Sequence, residues 1–339
     1  MSDTPGLALD VVSEWLDATL PGLRRGPLAA EVIAGGKSNL TYRVTDGTST
    51  WALRRPPLGH VLPTAHDMGR EYRVISGLAK TDVPVPFALA LCENPAVLGA
   101  PFYLMSFVDG IVLDDAESLG QLTRSSAQGV CEHLVDTLAA LHAVDAAAVG
   151  LGQLGRPEGF LARQVNRWHK QWRASETRPL DEVDRVVDTL NATMPRQTDA
   201  AIVHGDFKLA NVIYRKDLST IAAVIDWEMA TLGDPLTDLA LLAMYQQLGF
   251  AGACGMPRIT AEAGFLDGLQ LLERYAGRSH RDLGDIAWYL GFAYFKFAVV
   301  VEGIHNRYLQ GKTLGEGFDN LGAEAPILLN TALDALPHR

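Results

Sequence analysis

The 339-residue sequence is short of cysteine, of positive charge and of long apolar runs. Its three cysteines, Cys92, Cys131 and Cys254, are scattered and odd in number, with no zinc-ligand spacing. That excludes a disulfide-framed secreted module and a zinc finger, and makes a reducing cytoplasm the expected compartment. Acidic residues outnumber basic ones by 40 to 29, a net charge of −11. No nucleic-acid partner is expected, because such proteins present a basic face. The most apolar run, 286–301, is short for a bilayer and contains Lys296. It is expected to be a buried C-terminal helix, so no membrane partner is expected either. The opening MSDTPGLALD has no basic segment followed by an apolar one, hence no expected signal peptide. Internal repeats and low-complexity stretches are missing too. What is left is the composition of a globular protein long enough for two lobes.

The chemistry concentrates in residues 202–227, IVHGDFKLANVIYRKDLSTIAAVIDW. Ile202 and Val203 end a short buried strand, and His204, Gly205 and Asp206 follow. Asn211 stands five residues after Asp206. A β run at 212–214 and a polar turn at 215–220 lead to a second apolar run, 221–225, which ends on Asp226. Two hairpin strands therefore hold three oxygen-bearing side chains at their ends. Phosphoryl transfer requires such a set. One carboxylate accepts the proton of the attacking hydroxyl, while an amide and a second carboxylate hold Mg²⁺ against the nucleotide phosphates.

His-Gly-Asp, four residues, Asn, a hydrophobic strand and Ile-Asp-Trp resemble the aminoglycoside phosphotransferase and choline kinase branch of the protein-kinase-like fold. The resemblance implies a bilobal α+β fold. A small five-stranded N-lobe, 1–108, would bind ATP, and a mainly helical C-lobe, 109–339, would carry the catalytic and acceptor sites. It also implies that Asp206 is the catalytic base and that Asn211 and Asp226 are the metal ligands. Lys208, in the spacing Asp-x-Lys-x-x-Asn, is expected to touch the γ-phosphate.

The rest of the chain is read against that frame. An amphipathic helix is expected at 7–20 and β runs at 29–34, 40–45 and 50–54. The Gly-Gly-Lys-Ser-Asn turn at 35–39 lets backbone amides approach phosphates, which makes Gly36, Ser38 and Asn39 candidate nucleotide contacts. It is not a Walker A loop, because Glu31 occupies the position that needs glycine and a strand follows where a helix is needed. Ala52 and Arg54 share a strand face. Ala52 leaves room for adenine, and Arg54 stands where most kinases carry a lysine. Arg55 is expected on the opposite, solvated face. Glu71, on the buried side of a helix at 66–79, is the expected partner of Arg54. Strands at 85–91 and 101–107 complete the sheet. By the resemblance, the Ser106 carbonyl and the Val108 amide would hydrogen-bond adenine and Met105 would line its pocket. Helices are expected at 126–144, with His142 structural, and at 261–275, 285–309 and 317–336. Asp234 is expected to cap the helix that follows it, and Asp238 to brace the catalytic loop.

For the acceptor, three stretches resemble the phosphotransferase-like domain fused to, or encoded near, acyl-CoA dehydrogenases: LRRPPLGHVLPTAHDMGREYRVISGL, PVPFALALCENPAVLGAPFYLMSFVDG and DWEMATLGDPLTDLALL. This implies a small-molecule hydroxyl acceptor of the hydroxyacyl or hydroxyacyl-CoA class and a functional link to an acyl-CoA dehydrogenase. An aminoglycoside or amino-sugar kinase, and an ATP-binding scaffold without catalysis, stand as alternatives. Arg163, Arg167, Lys170 and Arg173 gather within eleven residues beside the stripe Leu161, Val165, Trp168 and Trp172. They are expected to present a basic face to an anionic acceptor.

Overall fold

Tyr42 and Val44 alternate on one strand, and Trp51 and Leu53 on the next, so the first sheet has an apolar face that needs a cover. In the computed structural model, which describes residues 4–33, 39–58, 67–196, 199–312 and 321–337, helix α1 (Leu9–Thr19) supplies it. Val12 and Leu16 of α1 join Tyr42, Val44, Trp51 and Leu53 in one fully buried cluster. The sheet comprises β1 (Ala29–Val32), β2 (Leu40–Thr45), β3 (Thr50–Arg55), β4 (Ala88–Cys92) and β5 (Phe102–Ser106). All neighbours are antiparallel, in the order β1-β2-β3-β5-β4. Helix α2 (Met68–Leu78) connects β3 to β4, and the short α3 (Pro95–Leu98) connects β4 to β5. Asp67 caps α2 by accepting the Arg70 N–H.

The opposite sheet face carries Ala52, Tyr103 and Met105 and merges with a second, larger core. That core is mainly helical: α4 (Ala116–Gly120), α5 (Arg124–Ala143), α6 (Phe160–Ser175), α7 (Asp181–Ala192), α8 (Leu236–Ala251), α9 (Gly268–Ser279), α10 (Ile286–Leu309) and α11 (Leu321–Ala335). Between α7 and α8 run four short strands, β6 (Ala201–Val203), β7 (Val212–Tyr214), β8 (Ile221–Val224) and β9 (Thr231–Gly233). β7 pairs with β8, and β6 with β9, both antiparallel. The loops joining these two ribbons bring residues 204–211 and 225–229 together.

Three local expectations fail for physical reasons. Arg55 is buried rather than solvated, because the segment ahead of α1 lies over it; its guanidinium donates to the carbonyls of Gly6 and Pro56. The helix expected at 261–275 begins only at Gly268. Gly264 sits at φ +99° with its backbone against Arg124, and Asp267 with Gln270 forms a capping box that starts α9. The strand expected from residue 85 begins at Ala88, since Pro86 cannot donate to a ladder. Ala34 and the glycine turn at 35–38, including Gly36 and Ser38, lie outside the described residues. Helix α10 is long and apolar enough to cross a membrane, but 67% of its most apolar stretch is buried inside the protein.

Candidate active site

The loop after β6 is built around an aspartate on α8. Asp238 is 1% exposed, and its carboxylate accepts the His204 N–H at 2.6 Å and the Gly205 N–H at 2.8 Å. His142 Nε2 lies 3.4 Å from the same carboxylate, while its Nδ1 meets Tyr275 Oη at 2.7 Å. His142 is thus a buried structural partner. Burial alone would raise the Asp238 carboxyl, but the hydrogen bond and charge of His142, with the His204 amide, outweigh it and hold it below its ordinary value. Gly205 adopts φ +86°, and a Cβ there would lie 2.8 Å from the Met229 Cβ, so the turn needs glycine. The Asp206 N–H donates to His204 Nδ1, so the proton of that ring sits on Nε2, which donates to the Ile225 carbonyl at 2.9 Å. Asp234 Oδ1 accepts the Leu236 N–H at the start of α8.

This scaffold presents Asp206 with both carboxylate oxygens engaged. Lys208 Nζ is 2.7 Å and Asn211 Nδ2 is 3.1 Å from Oδ2, and Tyr245 Oη donates to Oδ1 at 2.9 Å. The Asn211 amide nitrogen also holds the Asp206 carbonyl at 2.8 Å, which leaves its own Oδ1 without a hydrogen bond among the described residues. The Ile225 N–H donates to the Asn211 carbonyl at 3.0 Å and so sets Asp226 beside Asn211. Asp226 takes a left-handed φ of 66°, a strained state for a residue with a Cβ.

Arg54 of β3 crosses from the sheet to this ribbon. Its guanidinium pairs with Asp226 Oδ1, and its Nε stands 2.8 Å from Glu71 Oε2, a contact of charge rather than an aligned hydrogen bond. Glu71 is 1% exposed and also accepts from Tyr103 Oη at 2.9 Å and Asn39 Nδ2 at 3.0 Å. Burial pushes its carboxyl up to about 7, against the pull of Arg54, and the neighbouring charges of Asp226 and Glu228 add to the rise. Arg54 is held firmly charged: Glu71 and then the other acids outweigh its desolvation. One guanidinium thus faces three carboxylates, a local excess of negative charge that a further cation can relieve.

Ala52, Arg54, Met105, Ser106, Val108, Asn211 and Asp226 line one cavity of about 340 Å³ between the sheet and the ribbon. The Val108 amide makes no backbone hydrogen bond among the described residues. Four described candidates lie off its wall. Asp206, beside it, accepts a hydrogen bond from Asn211, and Lys208 lines a separate slot. Asn39 and Glu71 sit behind the cavity, where the Asn39 amide bridges Glu71 and Glu228 at 3.0 Å each. Among the described residues no group of three or more His, Cys, Asp or Glu forms a metal cage. Among the described residues, Asn211 Oδ1, Asp226 Oδ2 and the carboxylate of Asp114, which also lines the cavity, are oxygens left uncommitted. A few hard protein oxygens fit Mg²⁺, which keeps water and other non-protein oxygens in most of its coordination sphere.

A model of the phosphotransferase enzyme family, APH, matches residues 29–278. The chain belongs to that family. It is 33% identical to mouse acyl-CoA dehydrogenase family member 10 over 91% of its own length, and 32% identical to rat acyl-CoA dehydrogenase family member 11 over 89%. It spans only 29% and 40% of those two proteins. A Ralstonia eutropha protein provisionally assigned as an aminoglycoside phosphotransferase superposes with a TM-score of 0.83 at 32% identity, covering 97% of this chain and 98% of the other. Two remoter structures share the fold: a Cryptosporidium parvum choline kinase (TM-score 0.65, 12% identity, 97% and 95% covered) and a thermostable aminoglycoside phosphotransferase variant holding AMP-PNP and hygromycin B (0.62, 16%, 96% and 98%). The bilobal kinase-like fold expected from residues 202–227 is the fold of this phosphotransferase.

Sequence reasoning missed Tyr245, and it noted Lys296 only as a polar break in an apolar run. Tyr245 stands seven residues after Asp238, two turns along the same face of α8. Lys296 stands among the apolar residues of α10 and donates to the Gly205 carbonyl at 2.6 Å. The expected basic face of α6 is not formed as a unit. Arg163 donates to the carbonyls of Arg156 and Glu158, and Arg173 pairs with Glu176 and Asp184. Arg167 instead lines a cavity.

Proposed function

We propose that this phosphotransferase moves the γ-phosphoryl group of ATP to the hydroxyl of a small hydroxyacyl compound or its CoA thioester. The observation that carries the reading is the convergence of Asp206, Asn211, Asp226 and Arg54 at one rim of the cavity beneath Ala52, Met105 and Val108. Adenine sits against Ala52 and Met105, with the Ser106 carbonyl and the Val108 amide as its partners. Arg54, fixed by Glu71, meets the phosphates, as does Lys208 beside Asp206. Asn211 Oδ1 and the free oxygen of Asp226 would hold Mg²⁺, which, when bound, would offset charge on the phosphate oxygens. Asp206, aimed by Tyr245 and Asn211, takes the proton of the acceptor hydroxyl. The hydroxyl oxygen forms the new bond to the γ-phosphorus, the bond from that phosphorus to the β–γ bridging oxygen breaks, and ADP leaves.

Two things favour a hydroxyacyl acceptor over an aminoglycoside. The relatives named above are acyl-CoA dehydrogenase family members, which supports a functional link to such an enzyme. A small, mostly apolar slot also opens beside Lys208 and Tyr245, walled by Leu113, Leu119, Leu242, Met256 and Ile259, with Asp114 as its one acid. It suits an aliphatic chain, whereas a polycation needs several acids. The three free thiols suit a reducing, cytoplasmic setting. The test is incubation with Mg²⁺, ATP and parallel panels of hydroxy acids, hydroxyacyl-CoAs and aminoglycosides, read by mass spectrometry for gain of one phosphate. Gain on the hydroxyacyl panels is expected. Gain on aminoglycosides alone would overturn the acceptor class, and no gain on any panel would favour an ATP-binding scaffold.

A further inference from the structure

A second cavity, of about 650 Å³, lies between α2, α6, α8 and α10 and shares the Gly205 backbone with the catalytic turn. Its wall carries Arg70, Arg167 and Lys296 with Gln164, Trp168 and Gln171. Three carboxylates also reach the wall, and each is occupied. Asp238 holds the 204–205 amides, Asp67 caps α2, and Glu228 accepts from Asn39. The cations are less occupied. Lys296 gives one of its three N–H donors to the Gly205 carbonyl and stands over the Trp168 ring at 5.4 Å. The Arg70 Nε and Nη2 donate to the carbonyls of Ala230 and Leu154, leaving Nη1. Arg167 lies over Trp168 at 5.8 Å and donates no hydrogen bond among the described residues. None of the three has an acid within ion-pair distance among those residues. The remaining hydrogen-bonding capacity of the wall is therefore rich in charged donors, and such a surface selects oxyanions.

We propose that this cavity is the anion-binding half of the acceptor site, where Arg167, Lys296 and Arg70 receive the carboxylate of a hydroxy acid or the phosphates of its CoA thioester. The inference rests on the phosphotransferase reading and adds to it the place and chemistry of acceptor recognition. Lys296 ties the two halves together. It holds the turn that carries Asp206; burial disfavours its charge, the charges of Asp206 and Asp238 offset that in part, and those of Lys208 and Arg167 add to it. Arg70 is disfavoured as a cation first by burial; Asp67 offsets this in part, while Arg73 and Arg167 add to it, so an incoming anion relieves the repulsion between Arg70 and Arg167. Trp168, between Lys296 and Arg167, gives the cavity a flat apolar wall.

The test separates binding from catalysis. Butyrate, butyryl-CoA and methyl butyrate, none of which carries an acceptor hydroxyl, are titrated by calorimetry into wild type, Arg167→Gln and Arg167→Lys, with thermal melts to confirm folding. In parallel, KM and kcat are measured for 3-hydroxybutyrate, 3-hydroxybutyryl-CoA and methyl 3-hydroxybutyrate. Arg167→Gln is expected to weaken the anionic ligands about tenfold or more, the effect of losing a charge-assisted hydrogen bond. Arg167→Lys should restore most of it, and the esters should not respond. The larger loss, on the free acid or on the thioester, tells which oxyanion the cavity takes. Equal anion affinity in wild type and Arg167→Gln, or anion binding no tighter than ester binding, overturns the proposal. Anion binding that depends on Arg167 without phosphate transfer keeps the site and removes the kinase reading. Transfer with an acceptor KM indifferent to Arg167 does the reverse.

Discussion

Replacing Asp238 with asparagine removes a charge but hardly any volume. In the wild type one buried carboxylate serves two backbone donors, His204 N at 2.6 Å and Gly205 N at 2.8 Å. Asparagine offers one acceptor oxygen, so its amide nitrogen must face the other N–H. One charge-assisted bond is lost, one buried N–H is orphaned, and the other bond loses its charge. At about 1–3 kcal/mol for an orphaned buried donor, the variant should lose roughly 2–4 kcal/mol of stability. The loop that aims Asp206 must also shift, and a displacement near 1 Å costs on the order of 10²-fold in turnover. ATP affinity should hold, since Ala52, Arg54, Met105 and Val108 stand on or beside the sheet of the other lobe. The pH sign follows from the depressed carboxyl of Asp238. Its contribution is present above the ordinary value of 3.8 and is lost as pH falls through the lower folded value, so the gap between the two proteins should close in strong acid. Denaturant unfolding, nucleotide titration and single-turnover assays on Asp238→Asn check all three parts. A variant within 0.5 kcal/mol of wild type, an ordinary result for a surface change, with normal turnover, would refute the bracing role.

Three further outcomes are expected. Asp226→Ala should abolish the Mg²⁺ dependence of ATP binding, measured by calorimetry with and without the metal; unchanged dependence would remove Asp226 from the metal site. Glu71→Gln should lower turnover by loosening Arg54, yet its stability relative to wild type should improve as pH rises from 4.5 to about 7. Between those values native Glu71 retains a proton that the unfolded chain has released, so wild-type stability falls with pH there. Thermal melts across the window would show a constant gap if the carboxyl of Glu71 were not raised. Tyr245→Phe should reduce kcat several-fold, roughly the 1 kcal/mol worth of one hydrogen bond to Asp206, with little change in the KM for ATP; a wild-type kcat would make that contact incidental.

The fold was legible where function compresses residues into one stretch. His204, Asp206, Asn211 and Asp226 lie within 23 consecutive positions, and their spacing carries the hairpin that holds them. Ala52 and Arg54 were legible because strand periodicity is exact. Arg55 was not, since its burial depends on the Gly6 carbonyl, 49 residues earlier. Tyr245 and Lys296 reach the catalytic turn from helices that follow it by dozens of residues, and only packing brings them there. The basic run on α6 misled for a related reason. Spacing placed its cations on one face, but local carbonyls and acids claim Arg163 and Arg173, and the partners of Arg167 in the cavity come from α2 and α10.

The central claim is that Asp206 serves as the base for phosphate transfer from ATP to a hydroxyl. The most direct measurement pairs wild type with Asp206→Asn, with ATP labelled at the γ-phosphate and a hydroxyacyl acceptor. Labelled acceptor and ATP affinity are followed in the same samples. The account predicts that wild type labels the acceptor, while Asp206→Asn binds ATP normally and transfers at least about 10²-fold more slowly. Labelling by Asp206→Asn at the wild-type rate, or ATP binding by wild type with no label on any hydroxyl, would contradict it.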